Sequence, residues 1–267
     1  ILINNEYKNK YIILFFSFLS FYSDQKFILV PIIFFLLLCN TKKIFSFNNL
    51  KLFFYCLLLF LPALFIFYEW GGITKSETTS GINESAFRPQ NLLFSITIIS
   101  LYLVPFFYLF SDKKQFLYFI KNNILFNFLL FFFFYFFIIL FYLDIDLPIS
   151  GGWAFKIYKI LVNINFIFAE IVFFLICFFS YIIIFSYFKF FNVSFVSKII
   201  IIFLASYSVF IEVVFQEYFD PLMLILCIFF FHKEQFQKIT FQKSLILCSY
   251  FLIFWLGSLF YYHFYIF

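Results

Sequence analysis

Long apolar runs separated by short polar segments make up most of the chain. Nine such runs cover residues 11–22, 27–39, 52–68, 92–110, 124–143, 162–188, 199–215, 222–231 and 244–262. A helix needs about 20 apolar residues to cross a hydrocarbon core of about 30 Å, and several of the runs approach that length. The runs 11–22, 27–39 and 222–231 are shorter, so they need flanking polar residues or a water-filled cavity beside them.

The amino-acid composition indicates a membrane environment, as the apolar runs do. Of the 267 residues, 66% are hydrophobic and 12% are charged, whereas an average soluble domain has about 45–50% apolar and about 25% charged residues. We therefore predict an all-α, polytopic transmembrane bundle with about nine segments in one domain, residues 1–267, with the lipid bilayer as its first partner. The 56 Phe residues and the single Arg are typical of an AT-rich genome, so much of the Phe content has no functional meaning. The net charge of +5 comes from scattered lysines, which excludes a nucleic-acid-binding surface.

Lysine and arginine residues alternate between the loops as the positive-inside rule describes. Thirteen of the eighteen basic residues fall on one side: Lys8, Lys10, Lys42, Lys43, Lys51, Lys113, Lys114, Lys121, Lys189, Lys198, Lys233, Lys238 and Lys243. That side is predicted to be cytoplasmic. Nine of the thirteen acidic residues lie on or near the other side, so we expect any active site to face away from the cytoplasm. The predicted location is a bacterial inner membrane or an ER-type membrane.

The sequence has few of the patterns that are typical of redox, metal or cofactor sites. The five cysteines lie in or at the ends of apolar runs without a C-x-x-C pair, and we expect them to be buried and inert. The two histidines fall on opposite sides and cannot form a zinc or haem site together. Asp144-Ile-Asp146 has the form of a pair that holds Mg²⁺ or Mn²⁺, although a solvated loop end is the other interpretation, and we predict no resident cofactor.

Four polar clusters fall at predicted non-cytoplasmic ends of the spans, where ionisable groups are expensive unless they are paired or functional. The segment 21–26 has Asp24 and Lys26 in a tight turn, where an ion pair that caps a hairpin is the simpler interpretation. The segment 69–91 ends with Arg88, which either binds phosphate or anchors the next span. Paired glycines in the segment 148–156 allow close approach of the backbone or form a simple turn.

The fourth cluster covers residues 212–221 and contains three carboxylates without a nearby Lys or Arg. Glu212, Gln216 and Asp220 would share one face of a continuous helix, but Pro221 disfavours a helical Asp220. We therefore predict a broken helix that lines a cavity. Glu170 lies within a span.

In their order along the chain, these segments resemble the polytopic glucosyltransferases that use a dolichyl-phosphate sugar donor. The stretch at 15–24 is similar to that family's Phe-rich span ending in Tyr-Tyr-Thr-Asp, and Pro89-Gln90-Asn91-Leu92 is similar to its Pro-Gln-Leu element. Gly151-Gly152-Trp153 takes the place of the family's Asn-Arg-His turn, and the Arg of its Arg-Tyr-Phe element is replaced by Glu217. An Arg-Gln-Thr-Asn element of the family has no counterpart near residues 62–66.

The resemblance implies a GT-C-type fold and an inverting transfer of a hexose from a polyprenyl-phosphate sugar to a lipid-linked or surface glycan acceptor. Asp24, Glu217 or Asp220 would be the general base, and cations would stabilise the departing lipid phosphate. The remaining substrate-binding residues would be Lys26, Arg88, Gln90, Gly151, Gly152, Trp153, Lys156 and Tyr218. The family's first outer loop would lie upstream of Ile1, so we expect this chain to be a piece that lacks that loop and the span before it.

Two other functions compete with glycosyl transfer. A transporter or flippase would distribute polar residues through the middle of the spans, for which Asn163, Asn165, Glu170 and Glu212 are the candidates. A structural subunit of an organellar membrane complex would show no collection of acids on one side. The collection of acids at the predicted outer face favours the transferase.

Overall fold

The computed structural model describes residues 9–23, 29–39, 45–70, 87–110, 113–141, 152–191, 193, 195–210, 219, 223, 226–227 and 239–265. All regular structure in these ranges is helical. The helices are α1 (Lys10–Ser23), α2 (Leu29–Leu38), α3 (Phe47–Trp70), α4 (Gln90–Phe110), α5 (Lys113–Phe141), α6 (Gly152–Val162), α7 (Phe166–Phe190), α8 (Phe195–Tyr207) and α9 (Phe241–Tyr265), and a 3-10 segment Ser208–Phe210 follows α8.

The all-helical architecture predicted from the apolar runs is confirmed, and the chain is compatible with a membrane protein. Four helical stretches are long and apolar enough to cross a bilayer, and they are Phe47–Glu69, Gln90–Phe110, Ile120–Ile139 and Phe166–Lys189. The predicted run 222–231 lies almost entirely outside the described residues. The expectation that the cysteines are buried is confirmed for Cys177 and Cys227, whereas Cys39 and Cys56 are half-buried and Cys248 on α9 is exposed. All five thiols are free.

One helix of the structure has no counterpart among the predicted runs. The sequence pattern predicts a turn or a close backbone approach at residues 148–156, whereas α6 is already helical at Gly152 and continues to Val162. With 11 residues, α6 is about 16 Å long and is too short to cross a bilayer. The predicted run 162–188 accordingly begins later in the structure, at Phe166.

The chain divides into two compact units, of which the first contains residues 1–84 and 195–200. In this unit α1 and α2 pack against each other and against α3, and their contact includes Leu14, Leu38 and Leu52. The side chain of Tyr22 donates a hydrogen bond to the carbonyl of Leu59 at 2.5 Å. Pro62 lies inside α3 and weakens the backbone ladder one turn before it. The hydroxyl of Tyr22 thus bonds a carbonyl in the turn before Pro62.

The second unit contains residues 85–194 and 201–267, and α4 is its central helix. In the most apolar stretch of α4, 78% of the residues are buried, compared with 11% in α3. Helix α4 packs most extensively on α7 and α6 and also contacts α5 and α9. Large apolar side chains on α5 are instead exposed, for example Leu125 and Phe133, as expected where lipid covers a helix.

Helix α9 runs antiparallel to α4. Lys243 at its beginning donates to the carbonyl of Leu109, and Tyr250 donates to the carbonyl of Leu101 at 3.0 Å. Pro105 has no N–H with which to bond the carbonyl four residues before it, and that carbonyl belongs to Leu101. Tyr250 thus supplies the donor that the proline removes from the α4 ladder.

Candidate functional site

The polar contacts of the second unit are concentrated at one end, where α4 and α7 begin and α5 ends. Trp153 of α6 contacts the second turn of α4, and Glu170 in the second turn of α7 contacts Tyr135 near the end of α5. In the orientation predicted from the lysines, this is the non-cytoplasmic end. It also contains residues 87–91 of the second predicted polar cluster and residues 152–156 of the third.

The beginning of α4 is held by a set of bonds that we name the α4 clamp: Arg88, Asn91, Ser208 and Val209. The backbone N–H of Arg88 donates to the carbonyl of Val209 at 2.8 Å. The amide of Asn91 donates to the carbonyl of Ser208 at 3.2 Å. The single O–H of Ser208 is shared between the carbonyl of Ala205 in its own turn, at 2.6 Å, and the carbonyl of Asn91, at 3.2 Å. Asn91 and Ser208 are buried, so these bonds form in a low dielectric and fix the position of the turn that carries Arg88.

Local sequence explains why α4 begins where it does. Pro89 has no N–H to leave unsatisfied at a helix start, and its fixed φ suits the first turn. The N–H groups of Asn91 and Leu92 bond the carbonyls of Arg88 and Pro89, both at 3.0 Å. Arg88 is half-buried at the entrance to this first turn.

Helix α6 lies on α4 and α7 at the same end. Gly152 begins it with a φ of 69°, a left-handed conformation that glycine adopts without the steric cost of a Cβ. The indole N–H of Trp153 donates to the carbonyl of Thr97 at 3.2 Å. Ala154 and Phe155 are fully buried, and the Phe155 ring packs edge-on against Phe94 of α4 at 5.5 Å between centroids.

A tight turn then joins α6 to α7. The N–H groups of Ile164 and Asn165 both bond the carbonyl of Leu161, at 2.9 and 2.8 Å. The side chain of Asn165 accepts the N–H of Phe168 at 3.0 Å and so caps the beginning of α7. Because this turn is short, Glu170 on α7 returns to the side of α6 that carries Tyr158.

Glu170, Tyr158 and Tyr135 form a second group of polar contacts, which we name the Glu170 cluster. The hydroxyl of Tyr158 donates to Oε1 of Glu170 at 2.5 Å, the length of a hydrogen bond to a charged oxygen. The hydroxyl of Tyr135 lies 3.5 Å from Oε2, which is the long limit of a hydrogen bond. Glu170 is half-buried, and Ala169 beside it is fully buried.

Two buried side-chain atoms of α4 at this end have no hydrogen-bond partner among the residues that the structure describes. These atoms are Oε1 of Gln90 and Oγ of Ser95, and both are buried. The hydroxyls of Thr97 and Ser100 instead bond carbonyls three residues back in the same helix. The first turns of α4 therefore contain hydrogen-bonding capacity that the helix itself does not use.

The structure describes part of the predicted site. Arg88 and Gln90 lie at the beginning of α4, and Gly152, Trp153 and Lys156 lie on α6, where Lys156 is half-buried. The remaining predicted residues, Asp24, Lys26, Gly151, Glu217, Tyr218 and Asp220, lie outside the described residues, as do Asp144 and Asp146 of the predicted metal pair. The α4 clamp holds Arg88 against Val209, which precedes the fourth predicted cluster by three positions.

The predicted site did not include the Glu170 cluster, although one signal for it was present. Glu170 and Glu212 are the acidic residues that the sequence pattern puts inside apolar runs, and a charged group there is functional by default. The pattern gave no means of choosing the partners of Glu170, since the chain has 19 tyrosines.

Within the described ranges, no group of three or more His, Cys, Asp or Glu residues has the geometry to hold a metal ion. What the described end offers chemically is a half-buried carboxylate with two hydroxyl donors, one guanidinium, the lysines Lys156 and Lys159, and an indole. No family model matches the chain, and no curated protein or solved structure matches it either.

Proposed function

We propose that the chain is a membrane glycosyltransferase that transfers a hexose from a polyprenyl-phosphate sugar to a lipid-linked or surface glycan acceptor at the non-cytoplasmic face. The proposal rests on the order of motifs in the sequence and on the contacts between the segments that carry them. Its donor is amphipathic, which suits a catalyst that is almost entirely apolar.

The observation that carries the proposal is the α4 clamp. It joins two segments that are 117 positions apart, namely the Pro-Gln-Asn turn after Arg88 and the 3-10 segment before residues 212–221. Both segments flank or contain residues proposed for substrate binding. The bond from Trp153 to Thr97 brings the beginning of α6 to the same helix.

Arg88 is the proposed ligand of the lipid phosphate. A guanidinium presents paired N–H donors that match two phosphate oxygens, and it remains charged at any relevant pH. As the lipid phosphate leaves the sugar, its developing charge would be stabilised by such a group. A general base is required on the acceptor hydroxyl, and Asp24, Glu217 and Asp220 are the candidates for that role.

The test is transfer of labelled sugar from polyprenyl-phosphate donors by membranes that contain the protein expressed from its complete reading frame. Arg88→Ala should lower the rate by about 100-fold or more, the usual loss when one transition-state donor is removed. Arg88→Lys should retain part of the rate, because it keeps the charge and loses the paired geometry. Asp24→Asn and Asp220→Asn identify the base.

Lys189→Ala is the matched control, since Lys189 is an exposed cation in the last turn of α7, at the opposite end from Glu170. It should leave transfer unchanged. Absence of transfer with every donor by folded protein would refute the proposal and favour a transport role. Equal activity of wild type and Arg88→Ala would overturn the assignment of the phosphate ligand.

A further inference from the structure

The carboxylate of Glu170 has more hydrogen-bonding capacity than its neighbours use. Its two oxygens offer about four acceptor positions. Tyr158 occupies one at 2.5 Å, and Tyr135 approaches another at 3.5 Å. In the part of the chain that the structure describes, Glu170 has no further bond and no ion pair. At least two acceptor positions therefore remain for a donor that comes from outside the protein.

Glu170 can be reached by such a donor. Its side chain is half-buried, whereas Ala169 and Cys177 on the same helix are fully buried. Glu170 is the fifth residue of α7, so it lies about 6 Å along the axis from the helix start. Glu170 therefore lies near one end of the candidate span Phe166–Lys189 rather than at its centre. The phosphate and sugar of a polyprenyl-phosphate sugar lie at the edge of a bilayer, because only the polyprenyl chain is apolar.

Aromatic rings surround the carboxylate on the protein side. Phe173, in the next turn of α7, packs against Tyr158 with 5.4 Å between ring centroids and against Phe94 with 5.6 Å. Phe155 stacks on Tyr158 at 6.4 Å. These rings are buried and hold Tyr158 in place, while the carboxylate accepts from hydroxyl groups. A carboxylate that is held in one orientation and has unused acceptor positions is therefore suited to the hydroxyls of a hexose.

We infer that the Glu170 cluster binds hydroxyl groups of the hexose carried by the polyprenyl phosphate. Glu170 accepts from the sugar hydroxyls, and Tyr158 fixes the orientation of its Oε1. This inference rests on the proposed function, since it names the part of the donor that this end of the protein recognises. It assigns Glu170 to sugar binding and leaves the role of general base with the residues named above.

The experiment compares two lipids on purified protein in nanodiscs: a polyprenyl-phosphate hexose and the same polyprenyl phosphate without sugar. The measured quantity is the ratio of their dissociation constants, called here the sugar gain. Wild type should show a gain of about tenfold or more, as expected when hydrogen bonds to a charged group form. Glu170→Gln should reduce the gain to about twofold or less without changing the affinity for the bare lipid phosphate.

Two further variants separate sugar recognition from structural damage. Tyr158→Phe removes one hydroxyl and keeps the ring, and it should reduce the gain several-fold because Oε1 loses its fixed orientation. Glu69→Gln is the matched control, since Glu69 is an exposed carboxylate on α3, and it should keep the full gain. Thermal unfolding of each variant, followed by tryptophan fluorescence, shows whether it is folded.

The outcomes distinguish the two proposals. If wild type binds neither lipid, the proposed function fails, and the sugar site fails with it. If wild type binds both lipids equally, or if folded Glu170→Gln keeps the full gain, only the sugar site is overturned. If Glu170→Gln does not fold, Tyr158→Phe decides, and an unchanged gain in that variant overturns the inference.

Discussion

Tyr250 should stabilise the protein only as long as residue 105 is a proline. In α4 the carbonyl of Leu101 has no N–H partner four residues later, because that residue is Pro105. The hydroxyl of Tyr250 on α9 donates to this carbonyl at 3.0 Å. Leu101 is only 7% exposed, so water cannot easily take the place of the hydroxyl.

The stability that Tyr250 contributes can be calculated from the cost of losing its hydrogen bond to Leu101. Hydrogen bonds between membrane helices contribute about 0.6 kcal/mol on average and about 1.7 kcal/mol at most. The bond from Tyr250 belongs near the upper end, since its loss leaves a buried carbonyl unsatisfied at a cost of about 1–3 kcal/mol. Tyr250→Phe should therefore lower the free energy of unfolding by about 1.5 kcal/mol. The stacking of its neighbour Phe251 on Tyr102 does not involve the hydroxyl and should persist.

Pro105→Ala restores the missing donor and so provides the decisive background. In this variant the N–H of the new alanine can bond the carbonyl of Leu101, and the cost of Tyr250→Phe should fall below about 0.5 kcal/mol. Reversible unfolding in mixed micelles, with increasing sodium dodecyl sulfate, measures the four members of the cycle. Tyr22→Phe is the control, since its hydroxyl bonds Leu59 in the other compact unit and should be additive with Pro105→Ala. Equal costs of Tyr250→Phe in both backgrounds would refute the reasoning.

Two more predictions concern α6 and the orientation of the chain. Gly152→Ala should lower the free energy of unfolding by about 1–2 kcal/mol, because its φ of 69° is costly for a residue with a Cβ; the same micelle titration measures it, and an unchanged value would contradict the left-handed start of α6. In a background without the native cysteines, cysteine at position 164 should react with an impermeant maleimide from the non-cytoplasmic side and cysteine at 189 only after the membrane is opened. Both Ile164 and Lys189 are exposed, so the opposite labelling pattern would reverse the predicted orientation.

The long helices could be predicted from the sequence because their limits depend on composition. The run 92–110 corresponds closely to α4, Gln90–Phe110, since polar residues and Pro89 precede it and charged residues follow it. Helix α6 could not be predicted in this way. Its paired glycines indicate a turn, yet the segment is helical because Ala154, Phe155 and Tyr158 form a buried face against its neighbours. Packing outweighs the local preference there.

The candidate site shows a similar limit. Arg88 could be singled out as the only arginine of the chain, but its contact with Val209 uses backbone groups that almost every residue has. Such a contact cannot be predicted from the residue types in the sequence. Asn91 is a polar residue directly before one apolar run and Ser208 lies within another, but without the fold nothing relates them across 117 positions.

The tyrosine hydroxyls show why the charge of Glu170 needs an explanation beyond structure. Tyr22 and Tyr250 donate to carbonyls in the helical turn before a proline, and Tyr181 donates to the side-chain amide oxygen of Asn127 at 3.2 Å. All three acceptors are neutral, so they stabilise helix packing without the cost of a charge at membrane depth. Tyr158 donates instead to a carboxylate, although a glutamine at position 170 would accept the same hydrogen bond. The fold therefore needs an acceptor at this position but not a negative charge, which is why Glu170→Gln should preserve the structure and remove only the function that the charge supports.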